Sequence, residues 1–192
     1  MELTNHIATP VNPPDDAVIT LVEAKDHLEI EADYTEDDAK ITSFVKGAIL
    51  SAEKYISGHI YAKTVTLVYD GLDTLNVVFE MYPVRSITSV SYYREGEDTL
   101  TVMDPANYYL VNQNLRVQKI VFKELPEDID PDRSDAVQIV LAAGFVDAAN
   151  TPEDIKDAIK LKLGEAFERR EDRKAAYGKA SESKLRPYRK YA

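Results

Sequence analysis

Apolar residues between positions 35 and 60 recur at steps of three and four, which is the spacing of one face of an α-helix. This stripe consists of Ile41, Phe44, Val45, Ala48, Ile49, Ala52, Tyr55 and Ile56. Thr35 is suited to cap the start of the helix, and Gly58 can adopt the left-handed conformation that ends one. The pattern predicts a helix of about six turns, one side of which must be covered by another element.

A second strong helix signal begins near position 152, where Pro152 follows Thr151 and precedes two acidic residues. Its apolar stripe runs through Ile155, Ala158, Ile159, Lys162, Leu163, Ala166 and Phe167, with Lys162 as the polar exception. A shorter helix is predicted after Thr20, because Thr20 and Glu23 have the spacing of a capping box. We expect the two long helices to pack together in one core, formed by Phe44, Ile49, Ile56, Ile159, Leu163 and Phe167.

Between the long helices the pattern changes to short β-branched, aromatic and alternating segments, which are typical of strands. These segments cover residues 64–69, 75–81, 86–93, 99–103, 108–111, 116–122 and 136–143. Turn residues at 95–98 and 112–114 predict two hairpins. Strands grouped between helices favour an α+β fold. We expect the N- and C-terminal helices to pack as a small helical bundle, with an inserted antiparallel β region at about 62–145.

Charge is distributed unevenly along the 192 residues, whose net charge is −11. Residues 173–192 hold seven basic residues and one acidic residue, so this segment carries +6 and residues 1–172 carry −17. The acidic body argues against general affinity for nucleic acid. We therefore divide the chain into a flexible, proline-containing N-terminal arm (1–18), a single α+β domain (19–175) and a basic C-terminal tail (176–192).

Composition excludes several classes of chemistry. The chain has no cysteine, so disulfides and thiolate metal sites are ruled out. It has no apolar run of membrane-spanning length and no signal-peptide pattern, which predicts a soluble cytosolic protein without a membrane partner. The three histidines lack metal-ligand spacing, and the carboxylates come in runs that are usually solvated. We expect no catalytic residues, no metal and no cofactor, and hence not an enzyme.

The paired tyrosines Tyr92-Tyr93 and Tyr108-Tyr109 allow two interpretations. Aromatic side chains on a sheet can stack nucleic-acid bases, or they can pack across strands. In so acidic a chain we favour packing.

Several segments, taken together and in order, resemble the head–tail connector proteins of tailed bacteriophages and prophages, also called adaptor or head-completion proteins. The matching segments, which together extend over about residues 19–190, are 19–28, 37–41, 48–58, 82–90, 143–145, 152–171 and the closing 185–189. The proline-containing N-terminal arm departs from the family pattern.

This resemblance implies a structural virion protein without catalytic residues. Such connectors form a ring of about a dozen copies below the portal protein, extend the DNA channel and dock the next tail or stopper protein. DNA would pass through the channel without specific binding. The implied location is the head–tail interface of the virion, with the host cytoplasm as the site of assembly.

The closing residues Leu185, Arg186, Pro187, Tyr188 and Arg189 resemble the short C-terminal signature of the family. Their composition points to the same role, since apolar anchors stand within a basic segment that is attracted to an acidic partner. We predict that this segment is flexible in the free protein and docks on the portal or the adjacent subunit.

Two other functions stay open at this point. One is a monomeric acidic binding or chaperone-like module, which would not assemble into a ring. The other is a small hydrolase with a carboxylate site, which would bind a divalent metal and gain thermal stability from it.

Overall fold

Four α-helices and eight β-strands are formed by the residues that the computed structural model describes, which are 3–8, 13–81, 83–111, 117–168 and 179–189. The chain divides into two compact units. The β unit consists of Met1–Pro10 and Lys63–Gly144, and the helical unit consists of Val11–Ala62 and Phe145–Ala192. The predicted α+β class is confirmed. Within the described ranges, no helix combines the length and the apolar composition needed to cross a membrane.

Helix α1 (Leu21–His27) begins at the predicted capping box. The Thr20 hydroxyl accepts from the Glu23 amide at 3.1 Å, and the Glu23 carboxylate accepts from the Thr20 amide at 2.7 Å. Two otherwise unpaired amides at the helix start are thereby satisfied.

Helix α2 (Asp38–Ile56) is shorter than the sequence predicted at both ends. It begins at Asp38 because the preceding link is fixed by buried Lys25. The Lys25 ammonium donates to the carbonyl oxygens of Ala32 (3.2 Å) and Tyr34 (2.8 Å) and pairs with Asp38 at 2.6 Å. At the other end Ser57, and not Gly58, adopts the left-handed conformation, with a φ of 52°.

Helices α3 (Glu153–Glu168) and α4 (Lys179–Leu185) complete the helical unit. The predicted packing of the two long helices is confirmed, since Ile49 and Ile56 of α2 lie in one hydrophobic cluster with Ile159 and Leu163 of α3. At its edge the rings of Phe44 and Phe167 meet edge to face, with centroids 6.4 Å apart.

The β unit contains two antiparallel sheets. The five-stranded sheet has the order β1-β2-β8-β4-β5, and the three-stranded sheet has the order β3-β7-β6. The strands are β1 (Leu3–Ala8), β2 (Lys63–Tyr69), β3 (Asn76–Glu80), β4 (Val84–Tyr93), β5 (Leu100–Val102), β6 (Tyr108–Val111), β7 (Val117–Phe122) and β8 (Val137–Ala143). Both predicted hairpins, β4–β5 and β6–β7, are confirmed by their pairing.

The core of the β unit is built by alternation along the strands. In central strand β8, Val137, Ile139, Leu141 and Ala143 are buried, and the residues between them are half-buried. In β7 the inward residues are Gln118, Ile120 and Phe122. The buried Gln118 amide donates to the Met81 carbonyl at 3.1 Å, a contact that offsets part of the cost of burying a polar side chain.

Two terminal segments differ from the sequence analysis. Within the predicted flexible arm (1–18), residues 3–8 form strand β1, whose backbone pairs with β2 at the edge of the larger sheet. Within the predicted flexible tail (176–192), residues 179–185 form α4. Sheet pairing in one case and core packing in the other place these residues in regular structure, although their local sequence is only weakly structured.

Candidate partner-binding segment

The predicted partner-binding residues lie at the end of α4 and in the turn that follows it. Leu185 is the last residue of α4, and Arg186–Tyr188 form one turn of 3₁₀ helix. Pro187 fits there because an early helical position does not need its missing amide hydrogen. The Arg189 amide donates to the Arg186 carbonyl at 3.2 Å and closes the turn.

Leu185 is not available to a partner, since its side chain is fully buried in the core of the helical unit. Ser181, one helical turn earlier, is buried as well, so one face of α4 points inward. Tyr188 is half-buried and packs against the same core. The sequence predicted Leu185 and Tyr188 as anchors for another protein, whereas in the structure Leu185 anchors the chain's own helix.

Electrostatic contacts hold the same segment on the long helices. The Lys184 ammonium donates to the Asp157 carboxylate at 2.8 Å, which lowers the pKa of Asp157 and raises the pKa of Lys184. The Arg189 guanidinium lies 5.0 Å from the centre of the Tyr55 ring, within the range of a cation–π interaction. Both contacts are partly exposed to solvent and therefore orient the segment more than they stabilise it.

Arg186, Pro187 and Arg189 remain exposed on this turn. Two of these three residues are arginines, so the exposed part of the turn is a basic surface. Guanidinium groups bind carboxylates through paired hydrogen bonds, and the chemistry of this surface therefore suits an acidic protein partner.

Two residues that position this surface, Ser181 and Lys184, were not predicted from the sequence. A signal was present for both. Ser181 and Leu185 have the i, i+4 spacing of one helix face, and Lys184 is basic near the end of a short helix, where the dipole favours cations.

Other candidate chemistry is accounted for by structural contacts. Among the described residues there is no group of three or more histidines and carboxylates that could hold a metal ion. Tyr92 and Tyr108 are buried in the β core, as the packing interpretation predicted. The Arg133 guanidinium lies 3.7 Å from the centre of the Tyr93 ring and covers its face, which leaves Tyr109 as the exposed member of the two pairs.

An open, polar depression of about 260 Å³ lies beside β5 in the β unit. Its lining includes Arg94 and Asp128, whose charged groups pair with each other at 3.0 Å. No histidine is present among its lining residues, and its carboxylates lie on exposed loops.

Three solved structures share the fold of the chain over nearly its whole length. The neck of an empty gene transfer agent (GTA) particle, computed with C6 symmetry, contains a chain with a TM-score of 0.77 and 20% identity, covering 98% of this chain and 97% of that one. A chain of the native GTA virion has a TM-score of 0.76 and 19% identity, and the match covers 97% of this chain and 96% of that one. A chain of the native GTA neck, computed with C12 symmetry, has a TM-score of 0.73 and 20% identity, and the match covers 100% of this chain and 97% of that one.

No protein-family model matches the chain, and no curated protein sequence matches it. At identities near 20%, the likeness to the GTA neck and virion chains establishes the fold. The predicted resemblance to head–tail connector proteins is therefore confirmed at the level of the fold.

Proposed function

We propose that this protein is a structural component of the neck of a phage-like particle, a head–tail connector that joins the DNA-filled head to the tail. The observation that carries the proposal is the fold shared with GTA neck chains over 98% of this chain and 97% of the neighbour. A likeness over both full lengths includes the helical unit and the β unit together, so it extends beyond one common motif.

In this proposal the chain works as one copy in a ring of about a dozen. The neck structures that contain its structural neighbours were computed with C6 and C12 symmetry, which supports assembly around a rotation axis. The N- and C-terminal helices would form the small helical bundle of each subunit. The ring would lie below the portal protein and continue its channel.

The exposed basic turn is the part of the chain that we assign to the portal or to the adjacent subunit. Arg186 and Arg189 supply the charge, Pro187 keeps the turn rigid, and buried Leu185 fixes the turn on the subunit. A turn that is ordered before docking loses less conformational entropy than a free tail.

DNA would pass through the ring without being held. Tight binding to duplex DNA requires many Lys and Arg contacts to phosphates, and this chain has a net charge of −11. The protein acts in this view by shape and assembly, not as an enzyme.

The proposal is tested with particles that are produced without this protein. We expect DNA-filled heads without tails, and we expect the purified protein to restore tail attachment, as counted by electron microscopy. Adding the double variant Arg186→Glu, Arg189→Glu should restore at least ten-fold fewer tailed particles. The matched control is Lys54→Glu, Lys123→Glu, which makes the same change in charge at two exposed lysines elsewhere.

Two results would count against the proposal in different ways. Tailed particles that form without the protein would refute a connector role. If the two double variants restored equal numbers of tailed particles, the connector role would stand, but the basic turn would have no part in it.

A further inference from the structure

The three-stranded sheet has an apolar face that the fold of a single chain leaves exposed. Along each strand, alternate residues point into the β core, and the residues between them point outward. The outward residues are Asn76, Val78 and Glu80 of β3, Val117, Lys119 and Val121 of β7, and Tyr109 and Val111 of β6. We call this set the outer face.

Strand register brings the apolar members of the outer face together. Val121 lies between Asn76 and Tyr109 in one row across the sheet, and Lys119 lies between Val78 and Val111 in the next. Val117 lies opposite Glu80 in a third row. The five apolar side chains therefore form one surface, with Lys119 in its middle.

Much of this surface is open to solvent. Val78 is 60% exposed, Tyr109 is 50% exposed and Val117 is 47% exposed. Single exposed apolar residues are ordinary, whereas a contiguous group on neighbouring strands marks an interaction surface.

The outer face differs in net charge from the chain as a whole. Lys119 and Glu80 are its charged members, so the face has no net charge although the chain carries −11. Two copies of an acidic protein repel each other over most of their surfaces. They can approach closely where the charge is balanced and the side chains are apolar.

We propose that the outer face packs against a neighbouring copy of this chain and forms the apolar centre of the contact between subunits. This inference rests on the proposed ring. A closed ring of identical subunits needs a heterologous contact, in which one face of a copy meets a different face of the next. An apolar, neutral centre surrounded by polar residues is the usual composition of such a contact. A portal or tail partner recognised by charge would instead use the basic turn.

Site-specific cross-linking tests the proposal, because the chain has no cysteine and one introduced cysteine is unique. Asn76→Cys lies at the rim of the outer face and is exposed, so a thiol-directed photo-cross-linker can be attached without disturbing the core. The matched control is Val22→Cys on α1, at a position 67% exposed in the helical unit. Both labelled proteins are incorporated into particles and irradiated.

We expect Asn76→Cys to give a product of two copies of the 21.6 kDa chain, with a yield at least five-fold above that of Val22→Cys. A yield no higher than the control, or cross-links to other particle proteins alone, would overturn the assignment of this face while leaving the neck function in place. Failure of the unlabelled parent protein to enter particles would overturn the proposed function and this inference with it.

A charge placed on the outer face gives an independent readout. Val78→Glu should lower the number of copies per particle at least ten-fold, and Val22→Glu should leave it unchanged. The melting temperature of the purified protein should be the same for both variants, because each position is more than half exposed. Normal incorporation of Val78→Glu would contradict the proposal.

Discussion

The helical unit and the β unit use their apolar residues differently. In the helical unit, the stripe of α2 meets the stripe of α3, and Leu185 of α4 is buried in the same cluster. Its exposed large apolar residues lie on separate segments, at Val22, Tyr34, Leu50 and Val146. In the β unit, the second sheet buries one apolar face and exposes another.

The two units thus separate apolar residues that stabilise the single chain from apolar residues that are available for association. Apolar residues that the fold buries contribute to the free energy of unfolding, and those grouped on the surface contribute when a partner covers them. Variants in the helical core should therefore change the stability of the isolated chain, and variants on the outer face should change association. Three predictions examine this division.

The largest expected effect comes from Leu185→Ala. Removing a fully buried leucine side chain costs about 2–5 kcal/mol. Urea denaturation measures the loss, with Pro187→Ala as the control at an exposed neighbour. If the variant unfolded at the same urea concentration as the parent, residues 185–189 would belong to the flexible tail that the sequence predicted.

Two adjacent residues of β3 allow a buried and an exposed apolar position to be compared within one strand. Val77 is fully buried, whereas Val78 is 60% exposed. Val77→Thr places a hydroxyl in the core and should cost about 1–3 kcal/mol. Val78→Thr keeps the β-branched shape and should change the free energy of unfolding by less than about 0.5 kcal/mol. Equal losses at the two positions would mean that the outer face contributes to the fold of the single chain.

The same division explains what the sequence could predict. Long helices and most strands were found because periodicity is a local property, as in the stripes that place Ile49 and Leu163 in one core. The hairpins were found because the turn lies between the paired strands. The placement of β8 between β2 and β4 was not predicted, because it depends on pairing across more than forty residues of chain.

Short terminal elements were missed for a related reason. Strand β1 is ordered by pairing with β2, and the seven-residue α4 is too short to be stable alone. Leu185 was recognised as an anchor, yet its partner proved to be the chain's own core. The outer face was also missed, although residues 77–78 and 120–121, apolar in both alternating positions, are typical of a strand covered on two sides.

The smallest expected effect concerns the contact between Lys184 and Asp157. The hydrogen bond from Lys184 lowers the pKa of Asp157 in the folded state; burial opposes this shift, and the charges of Lys184, Lys160 and His27 reinforce it. A carboxylate with a lowered folded pKa stabilises the fold above its unfolded pKa, which is about 4 for aspartate, and this contribution is lost as the pH falls through the folded value. The Asp157 side chain is 46% exposed and the Lys184 side chain is 37% exposed. Water and salt therefore screen the contact, and its effect on stability is small.

Asp157→Asn removes the titrating group, so the variant should be slightly less stable than the parent at pH 7. The difference between them should shrink as the pH falls below about 4, because protonation of Asp157 then removes the same contact from the parent. Urea midpoints measured between pH 3 and pH 7 provide the readout, and the other carboxylates titrate in both proteins and cancel in the difference. Lys184→Gln is the matched control, since it removes the partner and should show a pH dependence of the same sign. A difference between parent and variant that does not vary with pH would mean that the charged pair contributes nothing to holding α4 on α3.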